Sequence, residues 1–189
     1  MQTLLRIENE IGKIPRAIFR VTTDKGDSYL CTDSTWNCHS VVEVDSKLLL
    51  ELWRADDYEG HKAIAHGSPE TWPHDEKFKL AEEGFSGGEA NPVPLAFIHC
   101  GIRNEERDIW ERHLIFFRRF KGREIVSRTP FIAFADGITR TIWLMTYNTP
   151  CFPVLCDTKD ADLLQVLAGL PGGKPKTMSE LLSLECGRS

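Results

Sequence analysis

The sequence predicts an α+β fold: a mixed sheet with helices packed on it, preceded by an N-terminal extension of β-hairpin and helices. Three observations carry this expectation. A polar turn, Asp24-Lys25-Gly26-Asp27, separates two runs with apolar residues at alternating positions. Short apolar runs at residues 93–98, 131–134 and 151–156, bounded by proline or Asp-Gly, read as strands. Helix-period stretches at residues 138–147 and 160–168 follow the second and third of these.

The elements follow in order. Residues 14–32 form the hairpin, with Arg16 and Arg20 alternating with apolar positions and so facing solvent. Residues 41–44 are a strand. Asp45 or Ser46 caps a helix over residues 47–54, with Leu48, Leu49, Leu52 and Trp53 on one stripe. Residues 55–74 read as loop with scattered His61, His66 and His74, and residues 75–83 as a short polar helix. Three glycines and a proline between Gly84 and Pro92 mark a boundary. The expected domains are therefore an extension over 1–90, a core over 91–170, and a flexible linker with a C-terminal arm over 171–189.

Within the core, Asn104 caps a predicted helix over residues 105–120, with Ile109, Trp110, His113, Leu114 and Phe117 as its apolar stripe. Acids in its first turn and bases in its last suit the helix macrodipole. Residues 123–127 are a further short strand. A helix over 160–168, ended by Gly169 and Pro171, completes the core.

Composition narrows the function. With 189 residues, 41% hydrophobic and 27% charged, one domain with an extra lobe can bury a sizeable core. A net charge of -5 excludes a simple all-basic nucleic-acid binder. The charge is uneven: Arg112, Arg118, Arg119, Lys121, Arg123 and Arg128 are answered by one acid, Glu124, within their span. This tract fits a polyanion such as a nucleic-acid backbone, and equally a well-built surface helix. Six cysteines and a start without a basic leader point to reduced thiols in a cytosol. Cys31, Cys38-His39 and His99-Cys100 lack the paired spacing of structural zinc sites. The longest uncharged run, residues 141–156, holds Pro150 and Pro153 and is too short for a membrane span.

The stretch with the clearest chemistry is Asp136-Gly137-Ile138-Thr139-Arg140, a tight turn between an apolar strand and a helix start. First-turn N–H groups lack intrahelical partners and sit at the positive end of the dipole, so such a turn suits an anion. Arg140 adds an always-charged fork. Asp136 orients Arg140, holds a Mg²⁺ that bridges phosphates, or caps the helix. The plainer alternative for the whole unit is a buried strand–turn–helix whose arginine pairs with a nearby carboxylate.

The order of these elements resembles the ParB/sulfiredoxin superfamily over residues 91–157: PVPLAFI, an Arg-bearing helix, a short strand, Asp-Gly-x-x-Arg, a helix, then Pro153-Val154. Across the whole chain, with VPLA at residues 93–96, ADGITRTIWL at 135–144 and FPV at 152–154, it is similar to plasmid fertility-inhibition factors. The superfamily's turn binds nucleotide phosphates, which implies Gly137, Ile138, Thr139 and Arg140 as an ATP site. Arg140 and Asp136 become the catalytic candidates, and Asp136 the ligand for an accompanying Mg²⁺. The fertility-inhibition resemblance implies oncogenic suppression and a block on DNA export through a type IV secretion system, by ATPase and DNase activity. The six basic residues from Arg112 to Arg128 then become the contacts to DNA backbone, without base readout. Further partners so implied are a secretion coupling protein or a relaxase–DNA complex, and the implied place is the cytoplasm at the inner face of the inner membrane. A non-enzymatic inhibitor of a coupling protein or exported effector is the alternative.

Two departures limit the resemblance. Sulfiredoxins carry a nucleophilic cysteine where Ile138 stands and a histidine where Thr139 stands, so thiol chemistry is excluded here. About 30 residues follow Asp157, too few for the helix-turn-helix that ParB partition proteins add. Glu105, Glu106, Glu124 and His99 are the candidates for activating water.

Overall fold

The chain passes from one sheet to another at Leu95. The computed structural model describes residues 1–9, 12–36, 38–55, 61–114 and 117–183. Its first elements are β1 (Leu4–Glu8), β2 (Arg16–Thr23), β3 (Gly26–Asp33), β4 (His39–Asp45), α1 (Ser46–Ala55), α2 (Lys62–Ala65) and α3 (Phe78–Ser86). Then come β5 (Val93–Pro94), β6 (Ala96–Leu114), β7 (Phe117–Asp136), α4 (Ile138–Thr146), β8 (Cys151–Asp157), α5 (Ala161–Ala168), β9 (Lys176–Thr177) and α6 (Met178–Ser183). One sheet has the order β1-β2-β3-β5 and the other β7-β6-β8-β4-β9. Both are mixed: β5 runs parallel to β3, and β6 parallel to β8. The α+β expectation therefore holds.

The expected hairpin is present, closed at Gly26, whose φ of 104° favours glycine. β4 and β8 carry near-continuous buried runs, as strands covered on both faces do. Asp45 Oδ1 accepts the N–H groups of Lys47 and Leu48 and so caps α1. Leu49, Leu52 and Trp53 are buried, while Leu48 is exposed, so the apolar stripe of α1 is narrower than expected. Trp53 meets Phe134 of β7 with ring centroids 4.7 Å apart. That contact ties α1 to the strand that delivers Asp136, and burying such a ring contributes about 1.5–3 kcal/mol.

Three expectations change. Among the described residues of 105–120 no helix forms; they belong to a long hairpin of β6 and β7. Apolar residues spaced as Ile109, Trp110 and Leu114 can match a helix period by chance. The acids expected in a helix's first turn instead pair across strands, Glu106 and Asp108 with Arg123, as Arg107 does with Glu124. Second, the chain before residue 90 does more than pack on the core sheet, because β4 lies inside that sheet between β8 and β9. Third, the C-terminal segment docks on its own chain: β9 pairs with β4, and α6 buries Met178 and Leu181. Residues 184–189 lie outside the described residues.

Candidate anion-binding site at the start of α4

The site is built where the sheet crossover meets the end of β7. Val93 and Pro94 pair with β3, Leu95 N donates to the Cys31 carbonyl at 2.9 Å, and Ala96 then joins β8. Gly137 sits against that crossover with φ 88°. A Cβ on Gly137 would lie 2.6 Å from Ala96 Cα, so only glycine lets the turn come this close. α4 is anchored behind the turn. Trp143 stacks on Phe85 of α3 at 4.1 Å and 16° between planes. Its C-terminus closes with Asn148 in the left-handed region (φ 54°) and bonds from Asn148 N to Met145 O and Thr149 N to Leu144 O. That pattern satisfies the last carbonyls.

At the other end of α4 the donors stay unanswered. Thr141 N makes the first intrahelical bond, to the Gly137 carbonyl, and no side chain caps the helix. Among the described residues nothing accepts the N–H groups of Ile138, Thr139 or Arg140. Asp136 therefore does not cap α4. Its Oδ1 accepts Gly137 N at 2.7 Å and its Oδ2 accepts Arg140 Nη2 at 2.6 Å. Orientation of Arg140 is thus the role, of the three considered, that the geometry displays. The Arg140 side chain is 20% exposed against 71% for Asp136. Arg140 Nη2 also reaches the Leu95 carbonyl at 3.5 Å, and its buried Nε has no acceptor among the described residues.

These residues line a cavity of about 510 Å³, within the range of small-molecule sites. Leu80, Ala81, Val93, Pro94, Phe134 and Ile138 form an apolar wall, and Lys77, His61, Thr139 and Arg140 supply polar groups. A neighbouring cavity of about 340 Å³ shares His61, Lys77, Ile138 and Thr139 and adds Asp75 and Glu76. His61, treated in the sequence as a loop histidine, and Lys77 thus join the site. Neither has a local sequence signal, because the α2–α3 region that carries them is brought to α4 by tertiary packing.

Asp136, Gly137, Ile138, Thr139 and Arg140 all line the one cavity. The structure does not bring the proposed water-activating groups to them. Glu124 pairs with Arg107 and Glu106 with Arg123, while Glu105 accepts the Ser127 hydroxyl, all on the β6–β7 hairpin. His99 Nδ1 lies 3.1 Å from Asp157, whose other oxygen is 3.4 Å from His39 Nε2, away from the cavity lining. Among the described residues no three of His, Cys, Asp and Glu are grouped to hold a metal ion. Asp136 would need phosphate oxygens and water to complete the shell of a Mg²⁺.

The tract of basic residues is also rearranged. Arg118, Arg119, Lys121, Arg123 and Arg128 stand on β7, not on a helix, and the side chain of Arg112 lies outside the described residues. Arg123 pairs with Glu106 and Asp108, and Lys121 faces Glu111 at 3.7 Å. Among the described residues no helix is long and apolar enough to cross a membrane.

Comparison with known proteins agrees with this architecture. The crystal structure of oncogenic suppression activity protein, a plasmid fertility inhibition factor, as its gold(I) cyanide derivative superposes with a TM-score of 0.68. It is 20% identical, over 97% of this chain and 82% of that one, which is a likeness of fold. Among curated proteins none matches the chain. The model of the plasmid fertility inhibition factor family matches residues 41–169, from the interior strand β4 through the turn at Gly137 to the end of α5. The stretch matched is the one that builds both the core sheet and the site, and the chain belongs to the plasmid fertility inhibition factor family.

Proposed function

We propose that the cavity at the start of α4 binds the phosphates of ATP and hydrolyses them, and that this activity powers or accompanies cleavage of DNA bound for export through a type IV secretion system. The observation that carries the reading is the set of unanswered donors at the cavity: the N–H groups of Ile138, Thr139 and Arg140, and the Nε of Arg140. Donors fixed before a ligand arrives stabilise phosphate charge without reorganisation. The Thr139 hydroxyl and Lys77 add contacts from the same lining. The apolar wall from Leu80 to Phe134 takes the base and ribose.

Arg140 neutralises charge on the transferred phosphoryl group, and His61 is the lining group with the chemistry to accept a proton from attacking water. Asp136 would help hold a Mg²⁺ brought with the nucleotide, which would supply positive charge to the phosphates. DNA enters this reading as the second phosphate ester, and the protein acts in the cytoplasm of the donor, next to the secretion machinery. A non-enzymatic inhibitor could not use Met178 and Leu181 of the C-terminal segment as contacts, because both are buried in the protein's own core.

The test is Arg140→Ala, with folding verified by circular dichroism. ATP hydrolysis and plasmid cleavage should both fall at least tenfold. Unchanged rates for both would refute the assignment. Inhibition of transfer that survives complete loss of hydrolysis would favour the non-enzymatic reading.

A further inference from the structure

The β6–β7 hairpin leaves the body of the protein. Only Ala96–Ile98 of β6 pair with a third strand, and no described residue between Ile102 and Pro130 is buried. At about 3.3 Å per residue the two strands run on for roughly 40 Å as a ribbon paired only with itself. Such ribbons are marginal alone. This one is held by cross-strand ion pairs and by Trp110 against Phe120, with ring centroids 5.5 Å apart. Those two rings nevertheless remain 53% and 48% exposed.

We infer that this arm holds single-stranded nucleic acid, with bases stacked on Trp110 and Phe120 and phosphates on Arg118 and Arg128. The inference deepens the DNA reading above by naming the form of the ligand and the surface that takes it. Trp110 and Phe120 are opposite each other in register, so they share a face. Arg118 is two residues along β7 from Phe120 with no bulge between, so it lies on that same face. An exposed ring beside a guanidinium engages a base and its backbone together, which is how sequence-tolerant single-strand binding works. Arg118, Arg119 and Arg128 make no ion pair with a described acid, whereas Arg107, Lys121 and Arg123 do. Arg118 and Arg128, the two of these on the ring face, are few for holding a duplex by charge alone, and a duplex keeps its bases stacked away from the rings.

Edge pairing with a second copy is disfavoured by the ribbon itself. Its register breaks at Glu105/Glu106, Ile109/Trp110 and Arg112/Leu114. Bulges and charged edges are devices that block strand addition.

Fluorescence anisotropy of the full chain with a labelled 20-nucleotide oligothymidine, and with a duplex of equal length, tests this without ATP. The single strand should bind more tightly. Its log-affinity should fall with log salt at a slope of about -1.4 or shallower, given about 0.7 per phosphate and two cations. Trp110→Ala should weaken single-strand binding about tenfold, Trp110→Phe much less, and Arg118→Glu with Arg128→Glu at least as much as Trp110→Ala. Arg140→Ala should leave this binding intact, and Trp110→Ala should leave ATP hydrolysis intact, so failure at the arm and failure at the turn are separable. Equal affinity for duplex, or no effect of the arm variants, would overturn the inference. So would a dimer in sedimentation that Trp110→Ala dissociates, which would assign the face to a second copy.

Discussion

Arg140 Nη2 and Asp136 Oδ2 lie 2.6 Å apart across the first turn of α4, and the same carboxylate accepts Gly137 N. The chain thereby places its own anion beside the donors that suit a ligand. A phosphate has to displace this carboxylate or share the arginine with it through a cation. Asp136→Asn removes a like charge that, 71% exposed, is screened to about 1 kcal/mol as in water at ~4 Å. Nucleotide binding measured in EDTA should tighten about fivefold, while Mg²⁺-supported hydrolysis should fall. Weaker binding in EDTA would mean that the carboxylate chiefly holds Arg140 in place.

Gly137 fixes where that turn sits. An alanine there must adopt φ 88° and carry a Cβ 2.6 Å from Ala96 Cα, a backbone atom that cannot swing aside. The left-handed region costs about 1–2 kcal/mol for such a residue, and overpacking adds about 1–3 kcal/mol. Gly137→Ala should therefore destabilise by about 2–5 kcal/mol in urea unfolding. Gly12→Ala has a similar φ of 81° with nothing within 4 Å, and should cost the backbone term alone. Equal losses for both would deny the close approach to Ala96.

Much of this site is written locally. The Asp-Gly pair, the apolar strand before it and the uncharged helix after it sit within residues 131–147, so short-range rules reach them. His61 and Lys77 arrive from a segment more than fifty residues away, and nothing in their own neighbourhood distinguishes them from solvated side chains. The β6–β7 ribbon is hard to read locally because Glu105, Glu106 and Asp108 followed by Arg118 and Arg119 match the dipole of a helix. In the hairpin Glu106 and Asp108 instead meet Arg123, beyond the stretch with helix spacing, and only the partner strand reveals this. The ribbon's open geometry also has a dynamic consequence. Amides of the described residues 102–114 and 117–130 should exchange with solvent far faster than those of Phe97 and Ile98, which are paired on both sides. Uniform protection along β6 in native-state exchange would show that the arm is covered in solution.

The cysteines carry a prediction at high pH. Burial pushes the Cys156 thiol up to about 12 and Cys100 up to about 11, with each further raised by the charge of Asp160. Cys31, beside the Leu95 crossover, is raised by burial too. An acid whose folded pKa is raised holds its proton more tightly folded than unfolded, so stability is full below the unfolded value near 9 and falls above it. Unfolding free energy should decline as pH climbs from about 9 towards 12, and Cys100→Ala with Cys156→Ala should flatten that decline. At pH 8 a thiol reagent should leave both residues unlabelled in the native protein while modifying exposed Cys38. Rapid labelling of Cys156 would contradict its place in the core.

Glu43 holds the N-terminus to the interior strand β4. It is 4% exposed, and its Oε1 accepts Thr3 N at 2.6 Å and the Thr3 hydroxyl at 2.7 Å. Hydrogen bonds to a charged group contribute about 1.5–3 kcal/mol each, and a donor left unanswered costs its desolvation besides. Glu43→Ala should destabilise by about 3 kcal/mol. Glu43→Gln, which keeps an acceptor, should lose about 1 kcal/mol, and Thr3→Val about as much. Because the residues share one network, Thr3→Val made on top of Glu43→Ala should add much less than it does alone. The Glu43→Gln protein should retain ATP hydrolysis, since Glu43 is not among the cavity's lining residues. Full additivity in urea unfolding would show that Thr3 and Glu43 do not meet in solution.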